Sequence, residues 1–180
     1  MQAPDASEYP EFYLGYGGLV PPGDLVETLG RQIDRTLALL QRVPAAGETH
    51  RYAEGKWSVR EVVGHVIDAE RLFTYRALHI ARGDPAPLPG MDQEEWASAS
   101  NAHERPLAEL ADELEAVRRA TLHLFGGLPP EVHDRRGIAS GYEISVRCIG
   151  GIVAGHELHH RRILKERYLP EIDGWEDDGP

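Results

Sequence analysis

Four stretches of this 180-residue chain place apolar residues at helical spacing, and none shows the strict alternation of a half-buried strand. In the first, Leu25, Leu29, Ile33, Leu37 and Leu40 follow an N-cap at Asp24, and the run ends before Pro44. The second opens at Ser58 with Glu61 three residues on, a capping-box signature, and Trp57 is placed to staple onto the first turn. Its stripe is Val59, Val62, Val63, Val66, Ala69, Phe73 and Ala77, reaching about Arg82. The third runs from about Pro106 to Phe125, with Leu107, Leu110, Leu114, Val117, Thr121 and Leu124 inward. The fourth covers Ser145 to Tyr168, with Val146, Ile149, Val153, His156, His160, Ile163 and Leu164 on one face and Pro170 as its stop. Four such stripes can be buried against one another, which predicts an all-α four-helix bundle.

Residues 83–106 form a long connection between the second and third helices, rich in proline (Pro85, Pro87, Pro89), with a short helix expected around Gln93–Ala99. Connections of this length are usually functional, and this one permits a crossover topology. The length suits one domain over 1–180, with an irregular aromatic and Gly/Pro-rich arm over 1–22 and an acidic tail over 171–180.

Charge narrows the partners. With 19 Lys+Arg against 30 Asp+Glu, the net charge of −11 repels a phosphate backbone, so no nucleic-acid partner is expected. Arg161, Arg162, Lys165 and Arg167 close a helix, where cations complement the dipole. The single cysteine, Cys148, rules out an intrachain disulfide and suits a reducing compartment. No signal-peptide pattern or membrane-spanning apolar run is visible, so a cytoplasmic protein with no membrane partner is expected.

The chemistry centres on His156-Glu157-Leu158-His159-His160. His156 and His160 are four residues apart, so on a helix both imidazoles point to one side, one turn apart. Two buried histidines must find partners or cost several kcal/mol. His65, beside the apolar stripe of the second helix, supplies a third imidazole from a facing helix. Three His with an open position suit a reactive Zn site, with Ni, Co, Mn or Fe as alternatives. Cys148, about two turns before His156, reads as packed core.

The same motif matches the H-E-x-x-H of zinc proteases, but the rest of that pattern is missing. Ile163 stands where the metzincin extension needs Gly, and no His follows His160. Glu157 therefore remains only a weak candidate general base, with a surface or ligand-supporting role weighed equally.

Three segments carry a family resemblance: Lys56-Trp57-Ser58-Val59-Arg60-Glu61-Val62-Val63-Gly64-His65, the proline-rich stretch from Arg82 to Trp96, and Val153-Ala154-Gly155-His156-Glu157-Leu158-His159-His160. In this order they resemble the DinB-like superfamily, in particular its YfiT-like branch of metal enzymes. The resemblance implies a four-helix bundle, often dimeric, with one divalent metal on His65, His156 and His160. Relatives include bacillithiol and mycothiol S-transferases, which implies a low-molecular-weight thiol as cosubstrate and a small electrophile as substrate.

Three functions are therefore expected, in this order. The first is a metal-dependent thiol S-transferase, with zinc or nickel the foremost metals. The second is a metal-dependent hydrolase of a small ester or amide. The third is a non-catalytic metal-binding protein. Trp96, Tyr13, Tyr16, Arg147 and His159 are weak candidates for substrate contact, and a homodimer is the expected assembly.

Overall fold

The computed structural model describes residues 1–175. After a short turn of helix α1 (Leu14–Gly17), the elements run α2 (Leu25–Gln41), α3 (Val59–Ala81), α4 (Gln93–Ala99) and α5 (Leu107–Gly126). Strands β1 (Arg136–Ala139) and β2 (Tyr142–Ser145) follow, and then α6 (Val146–Ile163), which passes into a π turn over Leu164–Tyr168. The caps fall where the side chains demand. Asp24 accepts from the Glu27 N–H, Ser145 accepts from the Cys148 N–H, and Ser58 with Glu61 closes a full capping box. Residues 176–180 of the expected acidic tail lie outside the described residues, whereas Ile172 is buried against the bundle.

The four long helices form the bundle. Helix α2 packs against α5 and α6, and α3 packs against the same two, so α2 and α3 face each other across a diagonal. Consecutive α3 and α5 are neighbours joined by the long connection, so the crossover expected of it falls elsewhere, in the links from α2 to α3 and from α5 to α6, which span the diagonals. Among the described residues no helix is long and apolar enough to cross a membrane.

Two features depart from the sequence expectation. A two-stranded hairpin precedes α6, with Ala139 opposite Tyr142 across a Ser140-Gly141 turn; both turn residues have positive φ, 54° and 81°. Four-residue strands are too short for alternation to register. The phase of α5 is also shifted. Arg118 and Phe125 are buried where Val117 and Leu124 were expected inward, and those two are half-buried.

The core has two apolar clusters with a polar layer between them. One gathers Leu25, Leu29, Phe73, Phe125, Ile149 and Ile152; the other gathers Ile33, Val62, Ile67, Leu110, Leu114 and Leu169. Each such side chain contributes about 1.5–3 kcal/mol on burial, so these clusters hold the bundle. The intervening layer contains His65, His156 and His160 on one side and Glu70, Arg118 and Glu157 on the other. Buried ion pairs roughly break even against desolvation, so this layer acts on specificity more than on stability.

Candidate metal centre

His65 comes from α3, and His156 and His160 from α6, the helix packed against it. The Nε2 atoms of His65 and His156 are 3.0 Å apart, and those of His160 and His156 are 3.2 Å apart. All three residues are buried. The cluster has the composition and compactness of a group that could hold a metal ion.

Hydrogen bonding alone does not account for this convergence. A neutral imidazole offers one N–H and one lone pair, and the Nε2 of His156 cannot accept from both neighbours through a single lone pair. A cation accepts all three lone pairs at once. Tetrahedral zinc with Zn–N of about 2.0–2.1 Å would separate its nitrogens by about 3.3 Å, close to the spacing observed. Electrostatics points the same way. Burial lowers the pKa of His65 to about 4, helped by the charge of His159. Burial, followed by repulsion from the neighbouring histidines, puts His156 and His160 well below their usual value. All three are thus neutral at pH 7, the form a metal needs.

The surroundings are aromatic. The Trp57 ring lies 4.7 Å from that of His65, and Phe73 lies 5.7 Å from His156. Tyr16 sets its ring edge-on to both His156 (5.3 Å) and His159 (5.2 Å). Gly155 makes that placement possible: a Cβ there would stand 2.6 Å from the Tyr16 carbonyl carbon and 3.0 Å from its Cα. Two cavities reach the centre. One, of about 240 Å³, is lined by Trp57, His159 and His160; the other, of about 630 Å³, is lined by His65, Phe73 and His156, and Tyr16 borders both.

The remaining candidates separate clearly. Tyr13 lines the larger cavity, and His159 lines the smaller. Trp96 is 45% exposed and lines neither. Arg147 is spent on ion pairs with Glu8 (2.6 Å), which ties the N-terminal arm to α6, and with Asp134 (2.8 Å), just before β1. Cys148 is buried, and its thiol is pushed up to about 12, first by burial and then by Glu8, so it is unreactive core.

Glu157 is neither on the surface nor in a cavity. Its carboxylate lies in the other half of the polar layer, 2.8 Å from Arg118, and accepts a hydrogen bond from the Thr36 hydroxyl. Arg118 also binds both oxygens of Glu70 at 2.8 Å. Burial by itself would lower the Arg118 pKa, but the two carboxylates outweigh it and raise the value. Neighbours in sequence, His156 and Glu157 thus serve opposite halves of the layer. The sequence reading missed Arg118 and Glu70 because charged residues on helices default to solvent.

The DinB superfamily model matches residues 28–164, which include all three histidines. The chain belongs to the DinB superfamily. Over 116 residues it is 32% identical to an Oceanobacillus iheyensis protein named "Putative metal-dependent hydrolase". That match covers 63% of this chain and 66% of the relative, just under two thirds of its length. Among solved structures it is similar to YfiT from Bacillus subtilis, described as "a probable metal-dependent hydrolase with an unusual four-helix bundle topology". The TM-score is 0.75 at 16% identity, covering 84% of this chain and 87% of that one. A DinB-like Bacillus subtilis protein, YjoA, matches at a TM-score of 0.58 and 19% identity, over 87% of this chain and 100% of that one. At these identities the two structures show the shared fold.

Proposed function

We propose that the protein is a metal-dependent hydrolase of a small ester or amide. The observation that carries this reading is the convergence of three neutral, buried Nε2 atoms at the junction of two cavities. The names of the relatives support hydrolysis ahead of thiol transfer. His65, His156 and His160 would hold the ion, with zinc or nickel favoured by an all-imidazole donor set. When bound, a divalent metal supplies Lewis acidity at a position left open by three protein ligands.

The chain's own groups supply the rest. In the net reaction water adds to the carbonyl carbon, the C–O or C–N bond breaks, and a proton passes to the leaving alkoxide or amine. His159, on the wall of the smaller cavity, is the side chain placed to relay that proton. Burial raises the Tyr16 pKa, with Tyr13 adding to the shift, so its hydroxyl stays protonated and can donate to a developing oxyanion. Trp57 and Phe73 keep bulk water away from the histidines. Glu157, held by Arg118, takes no part in proton transfer.

One observation favours a second reading. Two cavities approach the centre past Tyr16, which leaves room for a thiol cosubstrate as well as an electrophile. The deciding experiment incubates zinc- or nickel-loaded protein with p-nitrophenyl acetate and, separately, with cysteine plus chlorodinitrobenzene. Metal-dependent ester cleavage, lost on chelation and in His160→Ala, is expected. Thiol conjugation without ester cleavage would replace the hydrolase reading with the transferase one, and inertness in both would leave a metal-binding protein.

A further inference from the structure

Among the described residues, no carboxylate answers the buried cation of Arg76. It is 3% exposed and lines the larger cavity. Its Nη2 donates to the Pro89 carbonyl at 2.7 Å, its guanidinium sits 5.8 Å from the Phe73 ring centre, and its Nε has no hydrogen-bond partner. The contrast with Arg118 is direct, since that fully buried arginine has both Glu70 and Glu157. Leaving a charge buried and unmatched costs free energy unless something else supplies the counter-charge. Burial lowers the Arg76 pKa and the Tyr13 side chain beside it only partly offsets that, the direction expected of a cation lacking its anion.

The position gives the missing anion a role. Arg76 lies about three turns beyond His65 on the same face of α3, a Cα separation of ~16 Å along the helix. A long side chain leaning back toward the helix N-terminus shortens the gap to the histidines to ~10 Å. Ala69, Phe73 and Tyr13 line the cavity between the two ends. The Asp92 carboxylate, on the same wall, is already engaged by the backbone N–H groups of Glu94 and Glu95. Glu94 lies at the exposed rim and disfavours a doubly charged ligand.

We propose that this cavity takes a small monocarboxylate with an apolar or aromatic middle, its carboxylate gripped by the Arg76 fork and its ester or amide carbonyl at the three-histidine end. The inference rests on the reading of the cavity as the substrate site and narrows its substrate class. Arg76 becomes a specificity-determining residue, and the planar guanidinium suits a two-point hold on a carboxylate.

The test is calorimetric titration of the metal-loaded protein with 4-phenylbutyrate and with its neutral analogue 4-phenylbutyramide. The acid should bind at least tenfold more tightly. In Arg76→Gln acid binding should fall about tenfold while amide binding stays unchanged, and Arg76→Lys should retain part of the preference. A carboxylate could also contact the metal directly, so the preference is measured in His160→Ala too, where it should persist. Equal binding of acid and amide by the natural protein, or a preference that survives Arg76→Gln, overturns the proposal. Should Arg76→Gln fail to fold, Arg76→Lys and the acid–amide comparison still decide, since a residue that merely anchors Pro89 would not discriminate between the two ligands. Failure of ester hydrolysis with the acid preference intact would sink the hydrolase reading and leave this one standing.

Discussion

Arg118 Nη1 lies 2.8 Å from Glu157 Oε2, inside a layer that neither residue leaves. The glutamate of an H-E-x-x-H motif is thus occupied as a structural counter-ion. Glu157→Gln is expected to lower stability by about 1–3 kcal/mol, because Arg118 loses one charged partner while keeping Glu70. Metal content should remain near one ion per chain. Urea unfolding with metal analysis of the same sample checks both, and lost metal with unchanged stability would reverse the assignment.

His160→Ala should do the opposite. Removing one of three converging imidazoles should strip most of the bound metal. Thermal unfolding of the natural protein should rise on adding zinc or nickel, because a ligand that binds only the folded state stabilises it. The variant should show no such rise, and a full complement of metal in it would refute the ligand set.

Gly155→Ala tests how the arm is docked. Alanine gains about 0.8–1 kcal/mol of helix propensity over glycine. The new Cβ would stand 2.6 Å from the Tyr16 carbonyl carbon, and backbone cannot swing aside as a side chain can. Overpacking of this kind costs about 1–3 kcal/mol, so a net loss is expected. Limited proteolysis should then cut within residues 1–22 sooner than in the natural protein, and an unchanged cutting pattern would contradict the close contact.

The capping box at Ser58 predicts a pH dependence. Burial raises the Glu61 pKa, but hydrogen bonds from the Ser58 N–H (2.6 Å) and hydroxyl (2.7 Å), with Arg51, more than offset this and lower it below 4.5. A carboxylate with a depressed folded pKa contributes stability above its unfolded pKa and loses it as pH falls through the folded value. Glu61→Gln should therefore be less stable than the natural protein at pH 6, by about 1 kcal/mol as for other caps. The gap should close as pH falls below about 4.5, and chemical denaturation at pH 6 and pH 3.5 measures it.

Much of this molecule was legible in the sequence because its signals are local. Helical spacing of Val59, Val62 and Val66, the Ser58–Glu61 cap and the turn between His156 and His160 depend only on helix geometry. His65 could be paired with them from its place beside an apolar stripe. The hairpin at Ser140-Gly141 was not legible, since four residues of strand carry too little periodicity.

Other features came only from the tertiary structure, because they depend on which helix faces which. The diagonal placement of α2 and α3 brings α3 against α6, so that three imidazoles meet. It also lets Arg118 on α5 reach Glu70 on α3 and Glu157 on α6, two carboxylates nearly half the chain apart in sequence. Sequence spacing gives the angle of Glu157 around its own helix but not what waits at that angle. Local spacing alone dictates four amphipathic helices and an imidazole pair. Packing decided that His156 would face a cavity while its neighbour Glu157 would face a buried arginine, because desolvated charges must be matched wherever the bundle encloses them.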